Sequence, residues 1–211
     1  YQRECIQLMI REVQRLERIL STLIDYNKPE PVKPESLDPN RLIEQVLHLN
    51  EEQFDEKELT LEVDLGDEMG EVFLDPARFQ HVIRNLVANA IEASPRGGVI
   101  RVETGVFVPS TKAQETGSLE SDTYFEMKIR NRGPVIPPDE IEKIFDPFFS
   151  TKDHGSGLGL TLSKKIVEEH HGSVGVKSDS AGTVFSVWIP LAHGRHDDAA
   201  GPQAKMTVGS G

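Results

Sequence analysis

Gly155-Ser156-Gly157-Leu158-Gly159-Leu160 heads an apolar-periodic segment that runs from Leu158 to His170 and stops at Gly172. That pattern predicts a helix entered through glycines, with another glycine just past its end. Glycines let the backbone approach an anion closely, and the free N–H groups of a helix N-terminus favour phosphate oxygens. A generic flexible turn is the plain alternative. The turn does not follow a strand of a βαβ unit, as a dinucleotide fold requires, and it lacks the Gly-Lys-Ser/Thr ending of a P-loop.

Immediately upstream stands Phe145-Asp146-Pro147-Phe148-Phe149-Ser150-Thr151-Lys152, whose three phenylalanines read on their own as core. Before it, Asn131-Arg132-Gly133-Pro134-Val135-Ile136-Pro137 reads as a strand ending in a turn. Further back lies His81-Val82-Ile83-Arg84-Asn85-Leu86-Val87-Ala88-Asn89-Ala90. His81, Asn85 and Asn89 recur every four residues and share one helix face, while Ile83, Leu86, Val87 and Ala90 can turn to a sheet. Polar groups on an otherwise apolar helix need partners, either neighbouring backbone or a ligand.

The remaining segments alternate irregularly between periods. Residues 40–58 read as an amphipathic helix on Leu42, Val46 and Leu49, and Leu59–Leu65 and Val72–Leu74 as strands. Asp75-Pro76 supplies an N-cap and a first-turn proline for a helix to about Ala93. Val99–Val108, Tyr124–Asn131, Val174–Ser178 and Thr183–Pro190 read as strands, and Pro137–Ile144 as a short helix. Helices and strands mixed in this way predict an α/β, two-layer sandwich: one mixed sheet with helices on one face.

Ahead of that domain, Ile6, Met9, Val13, Leu16, Leu20 and Leu23 recur at steps of three and four, the seam of a coiled coil or helical hairpin, widened by Ile10, Ile19 and Ile24. Packing on its own domain is the alternative to dimerisation there. The expected organisation is therefore a helix over 1–27, a proline-rich linker over 28–39, the sandwich over 40–191 and a flexible tail over 192–211. The chain of 211 residues carries a net charge of −12, which argues against general nucleic-acid binding but leaves room for a single nucleotide. One cysteine, Cys5, excludes an internal disulfide framework and fits a reducing, cytoplasmic setting.

In order and spacing the four stretches resemble the N, G1, F and G2 boxes of the histidine-kinase catalytic domain, in the GHKL (Bergerat) ATPase superfamily with gyrase and MutL. The resemblance covers roughly residues 40–190, and the Phe-Asp-Pro-Phe-Phe-Ser-Thr-Lys run is most similar to the nitrogen-regulation type. It implies ATP held between the sheet-packed helices and a mobile lid over about 145–157. Asn89 would hold Mg²⁺ and Asn85 would reach a phosphate or a metal-bound water. Gly155, Ser156, Gly157, Leu158 and Gly159 would surround the phosphates, with Lys152 adding a point charge. Asn131, Gly133, Val135, Ile136 and Thr183 would line the adenine. The implied activity is transfer of the ATP γ-phosphate to a histidine and thence to a response regulator. The first helix would belong to the dimerisation and phosphotransfer hairpin, making the chain a homodimer through residues 1–27.

Two departures from the family pattern follow. The family has Asp-x-Gly-x-Gly where this chain has Asn131-Arg132-Gly133-Pro134-Val135, so an amide replaces a charged acceptor and Val135 stiffens the turn. Weakened nucleotide binding is expected. Secondly, none of His48, His81, His154, His170, His171, His193 and His196 stands in the His-Glu-x-x-x-Pro context of a phosphoacceptor, so self-phosphorylation is not expected. The hydrolysing relatives place a glutamate four residues before the metal-binding Asn; here that residue is Asn85, which cannot act as a base, so hydrolysis is expected to be slow. The alternatives are His81 or Glu92 as base in a GHKL ATPase, and a degenerate scaffold that binds no ATP.

Overall fold

The computed structural model describes residues 31–67, 72–109, 123–151 and 156–191, together with Ile6, Met9, Ile10, Val13 and Leu20. Those five isolated residues are helical, and all are more than half exposed. The expectations for Leu16, Ile19, Leu23, Ile24 and the tail lie outside the described residues.

A short strand β1 (Glu35–Leu37) comes first, then helices α1 (Pro39–Leu49) and α2 (Glu51–Glu56). Strands β2 (Thr60–Leu65) and β3 (Val72–Leu74) lead to the long helix α3 (Pro76–Ala93). Strands β4 (Val99–Phe107) and β5 (Tyr124–Asn131) precede a single 3₁₀ turn at Lys143–Phe145 and helix α4 (Gly159–Glu169). The hairpin β6 (Ser173–Asp179) and β7 (Gly182–Pro190) closes the fold. The main sheet runs β2-β4-β5-β7-β6, with β2 parallel to β4 and every other pair antiparallel. It is the mixed sheet expected, helices on one face.

The core forms where α3 meets the sheet. Phe79, Val82, Ile83, Leu86, Val87 and Ala90 have no exposed surface, and they cluster with Phe125, Met127 and Ile129, alternate residues of β5. Alternation puts those strand residues on one face, and steps of three and four put the helix residues on one stripe. Each large apolar side chain so buried contributes about 1.5–3 kcal/mol. Because α3 is fixed along most of its length, its polar face is fixed too.

Three local readings differ from the sequence expectation. The helix expected over 40–58 is two: Asn50 (φ −108°, ψ 7°) interrupts it, its side-chain amide donating to the Val46 carbonyl at 2.7 Å. Within α1 the inward stripe is Ile43, Val46 and Leu47, and Leu49 is exposed. The proline-rich stretch carries β1, which pairs antiparallel with β3 from Glu35↔Leu74 to Leu37↔Val72. Pro137–Ile144 forms turns rather than a helix, with only Lys143–Phe145 helical in the 3₁₀ sense.

Candidate functional site

Asn131 ends β5 on its inward face, opposite Thr183 of β7, and is 2% exposed. Its Nδ2 is enclosed yet has no hydrogen-bond partner among the described residues. An unmet buried donor costs about 1–3 kcal/mol and is uncommon enough to call for an explanation, such as a ligand acceptor. Gly133 follows in the turn; a Cβ there would stand 2.5 Å from the Ala93 carbonyl and 2.9 Å from Asn131 Nδ2. The end of α3 thus forms a wall beside the amide, and only glycine fits between them. On the other side Gly182 (φ +130°) lies against the Asn131 carbonyl, where a Cβ would approach to 2.3 Å.

Thr183 is buried and its Oγ1 lies 2.8 Å from Ser178 Oγ. That same Ser178 oxygen accepts from the Ile136 N–H at 2.9 Å, tying the 132–136 turn to the β6–β7 hairpin. Val135, in place of a family glycine, is 49% exposed. Ser178 was not singled out in the sequence; its alternation opposite Thr183 is the only signal that could have found it.

The second half of the site is where α3 meets the N-terminus of α4. Asn85 and Asn89 are half-buried on α3, and His81, one turn earlier, is exposed. Asn85 Nδ2 donates to Ser163 Oγ on α4 at 2.9 Å. A Cβ on Gly159 would fall 2.1 Å from Asn85 Oδ1, so glycine is what allows the first residue of α4 to sit against this amide. The cap residue of α4, Leu158, is buried and makes no side-chain cap bond. Helix N-termini carry unsatisfied N–H groups and a partial positive charge, a setting for phosphate oxygens. Ser156 is half-buried there, its Oγ 3.3 Å from the Leu158 N–H.

Gly157 takes φ +65° and its carbonyl accepts from the Phe148 N–H at 2.9 Å, which closes the base of the 148–157 segment. Phe148 is itself in the left-handed region (φ +67°) and 68% exposed, whereas Phe145 and Phe149 pack against the core. Two of the three phenylalanines therefore follow the core reading and one does not. Lys152 and Gly155 lie outside the described residues. From Asn85 to Ala93, α3 rises about 12 Å, so one rigid helix joins the amide at β5 to the α4 N-terminus. That length suits a nucleoside triphosphate laid along it.

Both ends of α3 are held by side chains: Asp75, the N-cap expected from the sequence, at one end and Lys57, which the sequence did not single out, at the other. Lys57 Nζ donates to the carbonyls of Ile91 (2.7 Å), Glu92 (3.0 Å) and Ser94 (2.8 Å), meeting the helix C-terminus with a cation. At the N-terminus Asp75 accepts from the Arg78 N–H (3.2 Å) and from the Lys33 N–H (3.0 Å). Its own N–H donates to His170 Nε2 at 2.9 Å, while His170 Nδ1–H donates to the Ile166 carbonyl. Arg78 also pairs with Glu169. Burial opposes the Asp75 charge, but the Lys33 and Arg78 amides and the nearby Arg78 guanidinium outweigh it, holding its carboxyl below the ordinary 3.8.

Among the described residues no group of three or more His, Cys, Asp or Glu side chains gathers to hold a metal. On the face of α3 that meets α4, Asn85 offers an amide oxygen. Among the same residues no helix is long and apolar enough to cross a membrane.

Residues 74–193 match the model of the histidine kinase-, DNA gyrase B- and HSP90-like ATPase family. The chain is 33% identical over 195 residues to sensor histidine kinase ZraS of Salmonella typhimurium, covering 92% of this chain and 39% of that protein. Sporulation kinase E of Bacillus subtilis is 29% identical over 181 residues, 85% of this chain and 23% of that protein. The chain thus spans about two fifths or less of these relatives. Among solved structures, the nucleotide-free catalytic domain of histidine kinase ThkA superposes with a TM-score of 0.63 at 33% identity, over 75% of this chain and 95% of that one. Histidine kinase ThkA in complex with response regulator protein TrrA gives a TM-score of 0.71 at 30% identity, over 89% of this chain and 50% of that one.

Proposed function

The chain belongs to the histidine kinase-, DNA gyrase B- and HSP90-like ATPase family, as a histidine-kinase catalytic domain, and on that premise we propose how it works. It binds ATP with Mg²⁺ and presents the γ-phosphate to a histidine of the parent kinase's phosphotransfer hairpin, from which a response regulator takes it. The observation that carries this reading is the junction of Gly159 with Asn85. It sets a helix N-terminus whose cap residue offers no side-chain cap against the middle of α3, about 12 Å along that helix from the end beside a buried amide with an unmet donor.

The residues fit the nucleotide. Asn131, Gly133, Ile136 and Thr183 hold the base, with Val135 at its edge. Ser156, Gly157, Leu158 and Gly159 surround the phosphates, with Lys152 and Gly155 supplied by the neighbouring segment. Asn89 would hold Mg²⁺ through its amide oxygen, an oxygen ligand that suits this hard cation. When bound, the cation offsets the charge of the phosphate oxygens.

Asn85 reaches a metal-bound water through Oδ1 or a phosphate through the second hydrogen of Nδ2, the first being donated to Ser163. An amide takes no proton, so water beside it goes unactivated and the γ-phosphate is kept for a histidine nucleophile. The exposed apolar side chains of Ile6, Met9, Ile10, Val13 and Leu20 favour a helical partner there, that of a second copy.

Calorimetric titration with ATP, with and without Mg²⁺, tests the reading. Magnesium-dependent binding is expected, with steady-state hydrolysis below about one turnover per minute, far under the usual enzyme range. A folded chain that binds no ATP would return the site to a scaffold role. Rapid hydrolysis would favour the ATPase alternative, with His81 or Glu92 as base.

A further inference from the structure

We propose that the Asn131 amide reads the 6-position of a purine in either of two orientations, so that the site accepts 6-oxopurine nucleoside triphosphates as well as ATP. The proposal rests on the reading of the β5 end as the base end of a nucleotide site.

The β5–β7 ladder, with Asn131 opposite Thr183, fixes the backbone that carries the side chain. The amide itself is not fixed in the same way. Its Nδ2 is enclosed and bonded to nothing among the described residues, and no side-chain hydrogen bond there holds the amide one way round. Its nearest polar neighbours are otherwise engaged or closed off. Thr183 and Ser178 share a hydrogen bond, and Gly182 lies against the Asn131 backbone carbonyl. The terminal torsion of an asparagine is broad and roughly twofold, and the two ends of its amide have nearly the same shape. Turning it over therefore breaks no protein hydrogen bond at Nδ2.

The chemistry of the purine edge is complementary in both orientations. Adenine offers a donor at its 6-amino group and an acceptor at N1; the end of the amide that is not enclosed carries Oδ1, which accepts from the first. Hypoxanthine reverses the pair, with an acceptor at O6 and a donor at N1. The turned amide brings Nδ2 to that end, where it donates to O6. A carboxylate at this position could only accept. It would pair with a 6-amino group but set oxygen lone pairs against O6, leaving buried acceptors unmet. The asparagine is thus a specificity-determining residue whose effect is to relax the choice of base.

The test is calorimetric titration of the whole chain, with Mg²⁺, by ATP, by inosine triphosphate and by purine riboside triphosphate, which has no 6-substituent. ATP and inosine triphosphate are expected to bind within about threefold of each other, and the unsubstituted purine about tenfold more weakly, the upper end for losing one hydrogen bond. In Asn131→Asp, inosine triphosphate should fall at least about tenfold behind ATP, since a site rejects the base that leaves its buried groups unpaired. ATP binding by that variant shows that it is folded. Should it fail to fold, the three ligands on the unsubstituted protein decide alone. Inosine triphosphate more than tenfold weaker than ATP on the unsubstituted chain, or equal binding of all three ligands, overturns the proposal while leaving the nucleotide site intact. Binding of none of them overturns the site reading and this inference with it.

Discussion

Replacing Gly159 with alanine perturbs the join between α3 and α4 at one atom. The added Cβ would lie 2.1 Å from Asn85 Oδ1 and 2.9 Å from its Cγ, so one side must retreat by roughly 1 Å or more to reach ordinary contact. Either α4 is pushed outward or Asn85 swings away and gives up its 2.9 Å bond to Ser163. Forced packing of this kind costs about 1–3 kcal/mol and the lost hydrogen bond about 0.5–1.5 kcal/mol. Loss of glycine's unfolded-state freedom returns about 0.4–1 kcal/mol. A net loss of about 1–3 kcal/mol should lower the urea midpoint by about 1 M. ATP affinity should fall about tenfold, because the displaced groups are those facing the phosphates. Adding Asn85→Ala removes the obstructing atom, so the double variant should recover about 1 kcal/mol relative to the sum of the single losses. Gly159→Ala unfolding at the wild-type urea concentration, or losses that simply add, would refute the argument.

Lys57→Met removes the cation that meets three carbonyls at the end of α3. After allowance for the freed side-chain entropy it should cost about 1–2 kcal/mol, a fall in Tm of about 3–6 °C by differential scanning calorimetry. Asn131→Ala should weaken ATP binding about tenfold in the calorimeter, and unchanged affinity would remove Asn131 from the base end. Asp75 predicts a pH dependence. Its carboxyl is held below 3.8, so the unfolded chain takes the proton first as pH falls. The stability it contributes is full above about pH 4 and is lost as pH drops through the lowered folded value. Asp75→Asn should therefore be less stable at neutral pH, with a gap that closes in acid-titrated melts; a constant gap would contradict the assigned cause.

How far the sequence could be read depended on whether a feature was local. Asp75-Pro76 as the start of α3, the glycine entry to α4 and the alternation of β5 each follow from a few neighbouring residues, and all three are seen in the structure. Strand β1 was missed because three residues among prolines carry no period; it exists through pairing with β3, some 37 residues away. The Lys57 cap, the Asp75–His170 bond and the Ser163 partner of Asn85 are invisible for the same reason, each joining residues at least 34 apart. Phe148 misled in the opposite sense. Its composition says core, but the closure with Gly157 fixes its backbone at positive φ and leaves its ring outside.

The two ends of the site are held by different physics, and this decides what substitutions there can do. At the base end the contacts are sheet register, the Ser178–Thr183–Ile136 link and the close approach of Gly133 to Ala93. All of these are contacts of the protein with itself, so binding a base there requires little reordering. At the phosphate end the groups are the open N-terminus of α4 and Asn85, which donates to Ser163 and whose Oδ1 faces Gly159. Its positive end is met only when an anion arrives. Substitutions at Asn131, Gly133 or Thr183 should therefore weaken adenosine, ADP and ATP by similar factors. Those at Asn85 or Gly159 should spare adenosine and grow more costly with each added phosphate. Calorimetric series over the three ligands separate the classes, and equal losses at Asn85 across all of them would mean that α3 carries no phosphate contact.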